Sequence, residues 1–191
     1  MTTKIVYTIG HSSHSLSDLI DVLIKLKIES LIDIRRSPKS IKNPQFNSDT
    51  FPTILYEQTK MNYFFKGDAF GGRRKRKKSL MDNNGLIDSE LRAYADHMQT
   101  SNFIYSFNEL LSLISSQNCL LMCSESDVNE CHRSLLSDYL LLKGVDIIHI
   151  ILTDKNISTF KHILNPIARL TNDKCIYPLN DDQFKKNINE I

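Results

Sequence analysis

Between Asn118 and Leu152 a short apolar run, a polar interval, a helical stretch and a second apolar run follow one another within thirty-five residues. Cys119 to Cys123 has no polar interruption, the pattern of a strand buried on both faces of a parallel sheet. Leu135, Leu136, Tyr139, Leu140 and Leu142 then recur at mostly helical spacing. Gly144 stands where a left-handed C-terminal cap is wanted, and Val145 to Leu152 is again β-branched and apolar. This order of patterns is a βαβ unit. The loop after its first strand lies at the strand's carboxyl end and feeds a helix N-terminus, where open α/β sheets place their ligands. The expected fold is a three-layer α/β sandwich with a mainly parallel central sheet, Rossmann-like.

The same loop is dense in chemically capable side chains: Cys123, Ser124, Glu125, Asp127, Cys131, His132 and Arg133. Arg133 is expected in the first helical turn, where the macrodipole disfavours a cation and favours an anion. An arginine there points to a bound anion, held by the guanidinium, by His132 and by free backbone N–H groups. Cys123 ends the strand facing that space. Positive surroundings would lower its thiol pKa and make it a nucleophile; in apolar surroundings it is an inert core thiol. Arg133 has an alternative of its own, pairing with Glu125, Asp127 or Glu130.

Two earlier loops are expected at the same edge. Lys4 to Ile9 reads as a strand followed by the loop Gly10-His11-Ser12-Ser13-His14. Ser15 and Asp18 make a capping-box-like pair, and Leu16, Leu19, Ile20, Leu23 and Ile24 give the next helix a core-facing stripe. Leu31 to Ile34 is a second short strand, ending in Arg35-Arg36-Ser37-Pro38. In a parallel sheet these loops and the Cys123 loop converge. Gly10 and Ser12 would let backbone approach an anion, Arg35 would bind it, and His11 would act as acid, base or donor. The candidate catalytic residues are therefore His11, Cys123 and Glu125; the candidate anion-binding residues are Gly10, Ser12, Arg35, His132 and Arg133.

Pro38 to Thr59 is polar and holds three prolines, so it reads as an irregular excursion with a short helix near Phe51 to Tyr56, and Asn62 to Phe65 as a third strand. An irregular basic insertion is expected around 66–86. It carries six consecutive cations, Arg73, Arg74, Lys75, Arg76, Lys77 and Lys78, although the net charge of the chain is only +2. Such a run either contacts a polyanion, as phosphate contacts to DNA or RNA would, or is a solvated surface loop. Asp88 to Gln99 and Ser101 to Ser116 have the periodicity of sheet-covering helices, with Tyr94 inward and Asp96 on the surface. A further helix is expected around Ser158 to Leu164, followed by a polar tail.

Several of these stretches together resemble the family called domain of unknown function 488. The shared motifs are Gly10-His11-Ser12; Asp33-Ile34-Arg35 with Pro44-Gln45-Phe46-Asn47; Gly71-Gly72-Arg73; Tyr94-Ala95-Asp96-His97-Met98; and Cys123-Ser124-Glu125-Ser126-Asp127 with Cys131-His132-Arg133-Ser134. The likeness runs from about Tyr7 to His149. It implies one domain of that family's type over 1–191 and implies no activity. The layout of the strand, cysteine loop, arginine and helix is also similar to that of rhodanese sulfurtransferases and cysteine phosphatases. Nine residues, 124–132, separate Cys123 from Arg133, a longer interval than those thiolate cradles have, and several of them are acidic.

Composition bounds the function classes. With 191 residues, 41% hydrophobic and 24% charged, the chain suits one α/β domain. No apolar run approaches the roughly 18 residues of a membrane span, and no signal-peptide pattern opens the chain, so a cytoplasmic location and no membrane partner are expected. Four cysteines form no dense disulfide framework and read as reduced thiols. Cys123, Cys131, His132 and His11 offer zinc-type ligands, but their spacing matches no structural zinc module, so no metal is assigned. No nucleotide-loop motif is present and no cofactor is assigned. Two classes remain. One is an enzyme acting on an anionic small molecule or nucleotide at the strand ends; the other is a DNA- or RNA-binding or -processing protein using residues 73–78.

Overall fold

In a computed structural model, which describes residues 4–76, 82–153 and 157–179, a six-stranded sheet lies between two layers of helices. The elements run β1 (Lys4–Gly10), α1 (Leu16–Lys25), β2 (Ser30–Asp33), α2 (Phe51–Thr59), β3 (Asn62–Phe65), α3 (Gly67–Phe70), α4 (Ser89–Met98), α5 (Ser101–Ser116), β4 (Cys119–Cys123), α6 (Arg133–Leu142), β5 (Val145–Leu152) and β6 (Ile157–Lys161). A small antiparallel hairpin of β7 (Arg169–Thr171) and β8 (Lys174–Ile176) follows. The sheet order is β3-β2-β4-β1-β5-β6, parallel throughout except for β6. The fold is thus the three-layer, mainly parallel α/β arrangement.

The uninterrupted apolar run of β4 has a direct cause. Cys119, Leu121 and Cys123 enter the core beneath α4, α5 and α6, while Leu120 and Met122 enter the opposite core beneath α1 and α2. A strand with both faces covered has no place for a polar alternate. Helix α1 starts where its capping box lies: the Ser15 hydroxyl accepts from the Asp18 N–H, and Asp18 accepts from the Ser15 N–H. Gly144 takes φ +82°, the left-handed conformation that ends α6.

Two expectations fail. The helix expected around Ser158 to Leu164 is instead β6, paired antiparallel to β5, with all five residues exposed. A one-sided edge strand buries too little to impose a legible period, and pairing with β5 decides its conformation. Asp96 is fully buried rather than on the surface, and accepts a hydrogen bond from the Asn83 amide at 2.8 Å.

On the face of the sheet covered by α4, α5 and α6 runs a buried polar chain that the sequence did not reveal. Thr8 Oγ1 lies 2.7 Å from His149 Nδ1, His149 Nε2 lies 2.9 Å from His162 Nδ1, and His162 Nε2 lies 2.9 Å from Asp138 Oδ1. Tyr177 donates to the other Asp138 oxygen at 3.0 Å. One placement of protons satisfies every member. Asp138 accepts from His162, His162 accepts from His149, and His149 accepts from the Thr8 hydroxyl. These bonds join β1, β5, the segment after β6, α6 and the segment after β8.

Candidate functional site: the crevice between β1 and β4

Strands β1 and β4 are adjacent and parallel, yet the helices that follow them lie on opposite faces of the sheet, α1 on one and α6 on the other. Loops leaving the two carboxyl ends in opposite directions open a crevice there. The ladder continues a step into both loops, His11 N–H donating to Cys123 O and Ser12 N–H to Ser124 O. Above this floor lies a cleft of about 520 Å³ whose wall includes His11, Arg35, Cys123, Glu125, Cys131 and His132. Its outer wall adds Arg36, Lys39, Arg73 and Tyr94, with Asp88, Glu90 and Glu130. Cationic and anionic side chains are both present, so the charge is local rather than uniform.

Each expected site residue has a definite place. Gly10 is required by close approach: a Cβ there would stand 1.7 Å from the Glu125 carbonyl oxygen and 3.0 Å from the Arg133 guanidinium. Ser12 takes φ +46° and donates its N–H to Ser124 O. His11 Nδ1 lies 2.9 Å from Ser12 O, and its Nε2 lies 3.2 Å from Arg35 Nη1. The first atom therefore carries the proton and the second accepts. Burial, and next the Arg35 charge, lower the His11 pKa to about 4.

Arg35 and Arg133 are not free clamps. Arg35 makes a fork to the Asp33 carboxylate, with Nε at 2.9 Å and 3.1 Å and Nη2 at 2.5 Å, and also donates to Phe46 O at 2.7 Å. Both residues are buried, so this pair neutralises itself inside the protein. The signal was available, because Asp33 and Arg35 are two residues apart on an extended segment and share a face. Arg133 turns into the loop, donating to Glu125 O at 2.6 Å and Ser126 O at 3.3 Å, and it does not line the cleft. Its Nε and backbone N–H both point at Cys131 Sγ, at 3.4 Å and 3.5 Å. It resolves its unfavourable place in the first turn of α6 by capping carbonyls. Glu125 is exposed on the rim.

Cys123, Cys131 and His132 come together despite their separation in sequence. Cys123 Sγ lies 4.0 Å from His132 Nε2, and Cys131 Sγ lies 3.8 Å from His132 Nδ1. A hydrogen bond from Cys131 holds the Cys123 thiol well below its usual pKa against burial, with His132 and Arg133 adding to the effect. The same bond, from the donor side, and burial push Cys131 well above. Cys119 and Cys175 are ordinary core thiols, pushed up by burial to about 11 and about 12. The His132 ring rests 5.0 Å from Tyr94 and against Gly72, where a Cβ would stand 2.8 Å from its Nδ1.

Of the basic run, Arg73 reaches the cleft wall. Arg74 is committed to backbone, donating to the carbonyls of Gly71 at 2.6 Å, Asp68 at 2.7 Å and Gly67 at 3.3 Å. Arg76 donates to Asn84 Oδ1 at 3.1 Å, Lys75 is exposed, and Lys77 and Lys78 lie outside the described residues. The sequence reading passed over Arg36 and Lys39 as individual site residues; both lie in the loop after β2, whose position the parallel sheet already implied.

The sequence model of the family described as "Domain of unknown function DUF488" matches residues 15–140, about two thirds of the chain. Neither the curated proteins nor the solved structures contain a match to it. The matched span holds the Asp33-Ile34-Arg35, Gly71-Gly72-Arg73, Tyr94-Ala95-Asp96 and Cys131-His132-Arg133 motifs that line or brace the cleft, and with that span the chain belongs to the domain of unknown function DUF488 family.

Proposed function

We propose that the protein is an enzyme acting on a phosphorylated or otherwise anionic substrate bound in the β1–β4 crevice. The observation that carries this reading is the common wall shared by Arg36, Lys39 and Arg73 with His11, Cys123 and His132. These three cations, in no ion pair among the described residues, meet the anion, and the cysteine–histidine floor meets the reacting end. Arg35 and Arg133 act one step back, Arg35 orienting His11 and Arg133 holding the Glu125 loop. Gly10 and Ser12 keep that loop close to β1. Glu125, exposed at the rim, is the acid–base candidate with freedom to move.

The test is thermal denaturation with inorganic phosphate, sulfate and nucleoside phosphates. A ligand at a hundred times its Kd stabilises by about 2.7 kcal/mol. The expected result is a rise in Tm that Arg36→Ala and Arg73→Ala together abolish while the unliganded Tm changes little. No rise with any anion ends the reading.

A second reading, a nucleic-acid-binding or -processing protein, is favoured by one observation. Arg73 lies on the cleft wall and opens the basic run, so a polyanion following the run would lead into the crevice. Neutralising Arg73, Lys75, Arg76, Lys77 and Lys78 should lower DNA or RNA retention and flatten its salt dependence. Unchanged retention at low salt removes this reading.

A further inference from the structure

We infer that Cys123, Cys131 and His132 form a zinc site at the floor of the cleft, with the fourth coordination position open toward the bound substrate. The inference rests on the reading of the cleft as a substrate site, and it adds what that reading leaves unnamed, the group that acts on the anion.

The donor set comes first. Two thiols and one imidazole, from the end of β4 and the start of α6, present ligand atoms that all lie within 4.8 Å of one another. A tetrahedron with metal–sulfur near 2.3 Å and metal–nitrogen near 2.1 Å has edges of about 3.6–3.8 Å. The imidazole can bind through only one nitrogen, and Cys123 faces Nε2 at 4.0 Å while Cys131 faces Nδ1 at 3.8 Å, so one of these approaches becomes an edge nearly as it stands, and closing the others, by up to about 1 Å, requires the ring or the second cysteine to shift. Two thiolates with one neutral imidazole match the charge and softness of zinc, and three protein ligands with an open position is the arrangement of catalytic rather than structural zinc.

The surroundings support the same assignment. Arg133 directs both its backbone N–H and its Nε–H at Cys131 Sγ. A metal-bound thiolate takes N–H···S bonds of this kind, which orient it and hold its charge. Gly72 leaves room for the His132 ring, since any Cβ there would press on Nδ1. All three ligands line the cleft, so the open position faces Arg36, Lys39 and Arg73, within reach of an anionic oxygen or of water. His11 is not the fourth ligand, because its Nε2 is directed to Arg35 and its Nδ1 to Ser12 O.

The test uses the full chain, stripped with a chelator under reducing conditions and titrated with Co²⁺ and then Zn²⁺. The expected result is one equivalent of cobalt with intense tetrahedral d–d absorption and a sulfur-to-cobalt charge-transfer band, both displaced by zinc. Cys131→Ser and His132→Ala weaken metal binding by more than about 100-fold, while Cys175→Ser keeps the full signal. If a ligand variant fails to fold, X-ray absorption of the zinc-loaded natural chain decides. A first shell with two sulfurs supports the site, and one of only oxygen and nitrogen overturns it. Recovery of a Cys123–Cys131 disulfide that takes up no metal after reduction also overturns it. Phosphate-induced stabilisation is measured on the stripped and the loaded protein. A phosphate shift without cobalt binding ends the metal site alone, and cobalt binding without any phosphate shift ends the anion cleft alone.

Discussion

Two glycines at the crevice have different expected sensitivities. A Cβ on Gly10 would collide with the Glu125 backbone carbonyl, which cannot yield without moving the loop that Arg133 holds. Gly10→Ala should cost about 3 kcal/mol or more, read as a fall in the urea midpoint. The three atoms nearest a Cβ on Gly72 all belong to the His132 ring, so Gly72→Ala should cost about 1 kcal/mol and displace the imidazole. That displacement should appear as a change in His132 ring chemical shifts. The Asp33–Arg35 pair makes a third test. Asp33→Ala leaves a buried guanidinium uncompensated and also removes the acceptor for the Tyr63 hydroxyl, so it should destabilise by about 3–5 kcal/mol. Loss of under 1 kcal/mol would mean that Arg35 reaches solvent. Burial, reinforced by Asp33, pushes the Tyr63 phenol beyond the ordinary range, which keeps it a donor to that carboxylate at any working pH.

Elements legible in the sequence are those whose residues face a core. The β4 run, the α5 span and the capping box of α1 each carry a period or a cap that local chemistry enforces. Strand β6 lacks both, and its partner β5 supplies the reason for its conformation. The segment following β6 delivers His162 to His149, and this contact predicts a pH dependence. His149 is buried, faces His162 and has Arg133 nearby, while Asp138 bonds to His162 and not to it. Desolvation is the largest cause that lowers its pKa from 6.5 to about 3, followed by His162 and Arg133. In the unfolded chain the ring takes up a proton near pH 6.5, and the folded ring does so only near pH 3. Its contribution to stability is therefore complete above pH 6.5 and declines as pH falls toward 3, by at most about 1.4 kcal/mol per pH unit. Urea midpoints from pH 7.5 to 5 should fall steeply, and His149→Gln should flatten that slope. Equal slopes would place the acid sensitivity elsewhere.

At the level of the whole molecule, segments far apart in the chain meet at one end of the sheet. The loops after β1, β2 and β4 supply the floor of the cleft, and the segment after α3, with α4, closes its side through Gly72, Arg73 and Tyr94. No described helix is long and apolar enough to cross a membrane. The basic run is divided by the fold into parts with different work. Arg74 braces the turn after α3 through three carbonyls, whereas Arg73 faces the cleft. Arg74→Ala should lower Tm by a few degrees with anion stabilisation retained, and Arg73→Ala should do the reverse. If both variants behave alike, the run acts as one solvated surface.

Periodicity, caps and the βαβ order already specified a mainly parallel α/β sheet, its strands β1 to β5, and the edge at which three polar loops converge, because each depends on residues close in sequence or on a rule of strand connection. Which arginines are committed to other protein groups was decided by partners in space. Arg35 is taken by Asp33 and Arg133 by two carbonyls, while Arg36, Lys39 and Arg73 are left facing the cavity. The nearness of Cys123 to Cys131 and His132 was hidden for a related reason. The intervening loop folds back over Gly10, and the seven residues between the cysteines follow no ligand spacing until that close approach is made.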